Sequence, residues 1–178
     1  TIERYGRVEF TIDTGRSYDH PFDPDEVDLR LLVRAPSGDE ITVPAFLSQP
    51  YERQRLARDG READWCYPVG VPRWLARFTP LEIGEYEAQA LLRDGRGGSA
   101  SAPIRFECVP SDAPGFVRVS ERDPRFLELP DGKPFFAIGQ NVAFVGDAQY
   151  LDLTGMEETL ARLGDNGANL VRLWACCD

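Results

Sequence analysis

The run WLARFTPLEIGEYEAQALL, Trp74 to Leu92, decides how the first part of this chain folds. Trp74, Ala76 and Phe78 alternate with Leu75 and Arg77, so a strand places the three on one face and marks that face as buried. Pro80 to Gly84 carries turn chemistry, and the alternation resumes from Tyr86 to Leu92. The same texture recurs outward from this run. Tyr5 to Ile12 (YGRVEFTI), Val27 to Val33 (VDLRLLV), Ile41 to Ser48, Trp65 to Val69 and Ile104 to Val109 read as further short strands. The breaks between them are TGRSYDHPFDPDE, the PSGDE turn at Pro36 to Glu40 and DGRGG at Asp94 to Gly98. Gln49 to Arg61 is polar and reads as a loop. About seven such strands suit an immunoglobulin- or fibronectin-like β-sandwich, because each must bury one face against a second sheet. Residues 1–112 are expected to form it.

The stretch VPSDAPG, Val109 to Gly115, is rich in Pro, Gly and Asp and suits a connector. Beyond it the texture changes. Phe116 to Val119 and Phe126 to Leu129 look extended, LPDGKP holds the Asp131-Gly132 turn signal of a hairpin, and Pro134 leads into FFAIG, which reads as a buried strand. A loop follows through GQNVAFVGDAQYLDLTG. Met156, Leu160 and Leu163 then recur at helical spacing, with Gly164 and Gly167 as stop signals. ANLVRLWACC, Ala168 to Cys177, is an apolar run broken only by Arg172, as in a parallel strand buried on both faces. Strand, helix and strand make a βαβ unit in an otherwise mainly β chain.

Charge and cysteine usage exclude several functions. The 178 residues carry 30 Asp plus Glu against 20 Lys plus Arg, a formal net charge of −10 that repels phosphate backbones and anionic lipid. Neither nucleic acid nor a membrane is an expected partner. No stretch reaches the roughly 18 apolar residues of a membrane span, and TIERYGRVEF is not a secretory leader, so the chain is expected to be cytoplasmic or already trimmed. His20 is the only histidine, so a Ser-His-Asp or Cys-His set would have to recruit it and none is expected, and without CxxC spacing or a nearby histidine pair no structural zinc is expected. Cys66 and Cys108 are either a disulfide or two buried thiols; adjacent Cys176 and Cys177 would point to opposite faces of a strand end. Asp13, Asp19, Asp23, Asp25 and Glu26 lack the regular calcium-loop spacing and read as a solvated acidic loop. Asp94 to Ser101 is a hairpin turn without the GK[ST] of a phosphate loop. No cofactor or metal is expected.

The order of several motifs carries a resemblance. Trp74-Leu-Ala-Arg-Phe78-Thr-Pro80, Gly84-Glu-Tyr86, Gly115-Phe-Val-Arg-Val119, Asp131-Gly-Lys-Pro-Phe-Phe136 and Ile138-Gly-Gln-Asn141 together resemble glycoside hydrolases of the clan containing family 5. The resemblance is especially to members in which an N-terminal immunoglobulin-like domain of unassigned function precedes a catalytic (β/α)8 barrel. It spans essentially the whole chain. It implies that residues 113–178 open the barrel, with Phe135 to Asn141 as its first strand, Glu157 to Leu163 as its first helix and Asn169-Leu-Val-Arg172-Leu-Trp174 as its second strand. Barrel sites lie at strand C-terminal ends, so Gln140, Asn141, Arg172 and Trp174 are the candidate substrate-binding residues. Arg172 would orient a nucleophilic carboxylate and hold it ionised, or serve as a structural ion pair. Trp174 would face a sugar ring or simply pack, and Gln140 and Asn141 would bond sugar hydroxyls or cap loops.

Retaining glycosidases need two carboxylates about 5–5.5 Å apart. The resemblance puts them on the fourth and seventh strands, beyond this chain, so no catalytic residue is expected here and the chain alone should not hydrolyse O-glycosyl bonds. It further implies a larger parent, an oligo- or polysaccharide partner, the remainder of the barrel as a second partner, and secretion. A non-catalytic carbohydrate-binding or purely bracing sandwich is the alternative. For such binding Trp65 and Tyr67, near a loop, are better placed than Trp74 and Phe78.

Overall fold

The computed structural model of the chain describes residues 1–58, 60–142 and 152–174; Cys176 and Cys177 lie outside them, as does most of the loop expected before the helix. The chain is mainly β. In order it runs β1 (Ile2–Glu3), β2 (Val8–Ile12), β3 (Val27–Arg34), β4 (Glu40–Pro44), β5 (Phe46–Ser48), β6 (Tyr51–Arg58), β7 (Arg61–Pro68) and β8 (Arg73–Phe78). It continues with β9 (Gly84–Asp94), β10 (Gly97–Ala100), β11 (Ile104–Val109), β12 (Arg118–Val119), β13 (Leu127–Glu128), β14 (Pro134–Phe135) and β15 (Gly139–Val142), then α1 (Leu153–Asp165) and β16 (Leu170–Leu173). Two compact units result: Thr1–Pro50 with Val69–Phe116, and Tyr51–Pro68 with Val117–Asp178.

In the first unit one sheet has the order β1-β11-β9-β3-β4, with β10 also on β9, and a second has the order β2-β8-β5. All pairings are antiparallel except β1 with β11. The alternation that announced these strands is what fills the core. Leu31 and Val33 of β3, Tyr86 and Ala88 of β9 and Cys108 of β11 meet Ala76 and Phe78 of β8. Val8, Phe10 and Phe106 close this cluster. Tyr86 stacks on Phe106 at 5.1 Å between ring centroids and takes Phe78 edge-on at 5.7 Å. A second cluster gathers Val27, Leu29, Trp74 and Leu92. Trp74, Ala76 and Phe78 are all buried, as their shared face predicts.

The single strand expected over Ile41 to Ser48 is two strands in different sheets. Ala45 is the corner: its amide donates to the Leu29 carbonyl at 2.9 Å, and Pro44, having no amide hydrogen, ends the β4 ladder. The expected loop at Gln49 to Arg61 is also overturned, since β6 and β7 form a hairpin in full register from Tyr51↔Pro68 to Arg58↔Arg61. Cross-strand polar pairs hold it, among them Arg55 to Glu62 at 3.0 Å and Tyr67 to Glu52 at 2.9 Å, so a reading keyed to buried apolar alternation passes over it. The two described cysteines are free thiols, Cys108 buried and Cys66 exposed, which excludes the disulfide reading and corrects the burial expected of Cys66.

In the second unit β12, β13 and β14 form a short meander, with the Asp131-Gly132 turn between the last two. Within the meander Glu128 is buried: it accepts from the Ser120 hydroxyl at 2.7 Å and from Arg118 at 3.0 Å. These bonds, led by that of Ser120, outweigh burial and hold its carboxyl below the ordinary range. FFAIG is not one buried strand. β14 ends at Phe135, β15 begins at Gly139, and between them Phe136 is 80% and Ile138 52% exposed. The reason is local: the Ile138 amide is taken by the Asn169 side chain rather than by a neighbouring strand. Leu170 and Leu173 of β16 are likewise exposed, against the burial on both faces that their run suggests. α1 is capped by Asp152, whose carboxylate accepts from the Gly155 amide at 2.7 Å, and is followed by Gly167 at φ 82°.

Candidate functional site

β15 and β16 pair in parallel, with Gly139 opposite Leu170, Gln140 opposite Val171, Asn141 opposite Arg172 and Val142 opposite Leu173. Side chains alternate, so Asn141 and Arg172 stand side by side on one face while Gln140 falls on the other with buried Val142. Trp174 continues the ladder, its amide donating to the Val142 carbonyl at 3.0 Å. The Arg172 guanidinium lies over its ring, 5.4 Å from the centroid. Three of the four residues singled out in the sequence therefore come together, Asn141, Arg172 and Trp174. All four are exposed. Their chemistry is an amide, a fixed cationic fork and a half-exposed indole, suited to hold hydroxyls, a carboxylate and an apolar ring face. No carboxylate belongs to the set, so it can bind and orient a ligand without itself supplying the acid and base of a hydrolysis.

Two residues without a role in the sequence reading hold this pair in shape. Asn169 accepts from the Ile138 amide through Oδ1 at 2.8 Å and donates through Nδ2 to the Phe136 carbonyl at 3.0 Å. Its own amide donates to the Ile138 carbonyl at 2.8 Å. One side chain thus fastens the residues entering β15 to the start of β16. Gly139 permits the close approach: a Cβ there would overlap the Leu170 carbonyl, with its carbon at 2.6 Å. Asn169 stands in the Asn-x-x-Arg-x-Trp ending quoted above. Its role needs both strands in place to be seen.

The β6–β7 hairpin adds a second polar arrangement. On one face Arg53, Arg55, Asp64 and Cys66 are aligned by the register. Asp64 accepts from the Thr154 amide at 2.6 Å and its hydroxyl at 2.9 Å, and Arg53 forms a two-pronged pair with Glu157 at 2.9 and 3.0 Å. Arg55 reaches Asp152 at 3.4 Å. Burial pushes the Asp64 carboxyl up, but the two Thr154 bonds with Arg53 and Arg55 outweigh it and hold it below the ordinary range. The opposite face carries Trp65, 56% exposed, beside Gln54, Tyr67 and Glu52.

Elsewhere, a cavity of about 480 Å³ in the first unit is lined by Asp13, Arg16, Tyr18, Pro21, Arg73 and Trp74, among others. Behind it Asp94 accepts from Arg16 at 2.5 Å and Tyr18 at 2.9 Å. The acidic loop spends carboxylates on its own turns: Glu26 accepts from the Asp19 and His20 amides, Asp23 from Asp25 and Asp13 from Gly15. Among the described residues no cluster of His, Cys, Asp and Glu is arranged to hold a metal, and no helix is long and apolar enough to cross a membrane.

No family model matches the sequence, and no curated protein matches it. A solved structure does: a protein from Bacteroides vulgatus ATCC 8482, provisionally described as a glycoside hydrolase, superposes with a TM-score of 0.62 at 20% identity. The match covers 97% of this chain and 28% of that one. At such identity the likeness carries the fold alone: this chain has the fold of a portion of that larger protein.

Proposed function

We propose that this chain is the N-terminal portion of a carbohydrate-active glycoside hydrolase. Residues 1–112 are an immunoglobulin-like sandwich that braces or extends a (β/α)8 barrel of the family 5 clan, and residues 113–178 open that barrel. The observation that carries the reading is the parallel pairing of β15 with β16 on either side of α1, the unit from which such barrels are built. The sheet orders of the first unit support the sandwich, as does the Tyr86 hydroxyl, which accepts from the Glu82 amide four residues upstream at 2.9 Å, as in a tyrosine corner.

In this reading Asn141, Arg172 and Trp174 contact an oligo- or polysaccharide at the C-terminal ends of the strands, with Gln140 on the opposite face, and Arg172 steadies the nucleophilic carboxylate. The acid/base and nucleophile come from later strands, so hydrolysis of O-glycosyl bonds belongs to the longer protein. A polysaccharide target implies secretion. The second reading, a binding or bracing module without catalysis, is favoured by the exposed indole of Trp65. The test is to sequence the source gene past codon 178 and assay the encoded protein on aryl glycosides and polysaccharides. A frame encoding further strands, with kcat/KM falling on the order of 100-fold in Arg172→Ala, is the expected result. A stop codon directly after Asp178, or an Arg172→Ala enzyme of unchanged kcat/KM, overturns it.

A further inference from the structure

We infer that the outward face of the β6–β7 hairpin is a glycan-binding platform centred on Trp65, separate from the β15–β16 residues. The register puts Glu52, Gln54 and Leu56 on this face across from Tyr67, Trp65 and Ala63. The indole lies directly opposite Gln54, and the Glu52–Tyr67 pair follows two residues along, about 7 Å away. The polar groups are ordered before any ligand arrives. Gln54 Nε2 donates to the Tyr67 hydroxyl at 2.8 Å, and that hydroxyl donates to Glu52 Oε2 at 2.9 Å. A flat apolar surface bordered by fixed amide and carboxylate oxygens is complementary to a pyranose ring, which offers a C–H face and a rim of hydroxyl donors. It fits a protein partner poorly, because Leu56 and Trp65 are the only large apolar side chains described on the face. It also disfavours recognition through negative charge, since Glu52 stands beside the indole.

The opposite face supplies rigidity. Five hydrogen bonds, three donated by Arg53 and Arg55 to Glu157 and Asp152 and two accepted by Asp64 from Thr154, join the hairpin to the start of α1, so the platform is backed by a structured element. Preordering of this kind lowers the entropy lost when a ligand is held. The ligand class, a glycan of pyranose rings, rests on the glycan-directed reading above; the location does not.

The test is titration of the 178-residue chain with a panel of soluble neutral and uronic polysaccharides, followed by calorimetry and tryptophan emission. Expected are a blue shift on binding a neutral glycan, an affinity about tenfold weaker in Trp65→Ala, and partial recovery in Trp65→Tyr. Phe22→Ala, at an exposed aromatic that belongs to neither polar arrangement, should keep both the shift and the affinity, and raising the salt should change neither. Binding that survives Trp65→Ala, or appears only with uronates at low salt, overturns the platform, as does no binding to any glycan. Trp65-dependent binding by a chain whose full-length parent hydrolyses nothing would leave the platform standing and remove the hydrolase.

Discussion

Gly139 stands opposite Leu170 at the start of the β15–β16 pairing, and the carbonyl of Leu170 occupies the space a side chain would need. Gly139→Ala must push the strands apart, at a cost on the order of 1–3 kcal/mol, because the obstruction is backbone that cannot rotate away. The expected outcome is faster amide exchange at Asn169 to Trp174 with the first unit unchanged. Asp94 sets a second residue-scale expectation. Its bond to Arg16, followed by the Arg96 amide, holds its carboxyl at about 2, below the ordinary 3.8. A depressed carboxyl contributes stability that is complete above the ordinary value and is lost as pH falls from 3.8 toward 2. Urea midpoints of the wild type and Asp94→Asn should therefore differ at pH 5 and converge by pH 2. Arg16 and Asp94 are 78 positions apart, so no local pattern joins them.

The β6–β7 hairpin shows at the scale of an element why part of the chain was not legible. The central strands of the first unit announce themselves by alternation, β3 burying every second side chain, and Val27 to Val33 and Trp74 to Phe78 are found where the pattern puts them. The hairpin buries little and is held by charge, so Gln49 to Arg61 reads as a loop. Its anchoring is testable. Asp64→Ala leaves the Thr154 amide and hydroxyl without their acceptor, at a cost of about 1–2 kcal/mol, comparable to removing a helix cap. Amide exchange should quicken in Thr154 to Met156 and in the hairpin, and remain slow in β9. Unchanged protection at the start of α1 would show that Asp152 caps the helix unaided. In the candidate site the reading gave Arg172 and Trp174 with their strand, but the arginine over the indole is a side-chain placement that the strand pattern alone does not specify.

Across the whole molecule, side chains of equal hydrophobicity meet unequal environments. Leu31, 2% exposed, is surrounded by side chains of both sheets of the first unit, whereas Phe136 is 80% exposed in the second. Leu31→Ala should cost about 2–5 kcal/mol, since it removes buried methyl groups and leaves a cavity. Phe136→Ala should change the stability of the 178-residue chain by less than about 0.5 kcal/mol, as surface substitutions do. The proposal adds a condition that turns this contrast into a test. If the second unit is the opening of a barrel, later strands and helices cover Phe136, Ile138 and Leu173, and the cost of Phe136→Ala rises in the full-length protein toward the 3–5 kcal/mol of a buried phenylalanine. Thermal melts of both lengths, with and without the substitution, measure that difference. A Phe136→Ala change that is neutral at both lengths would mean that this apolar surface faces water in the complete protein, and the barrel reading would lose the feature that most needs it.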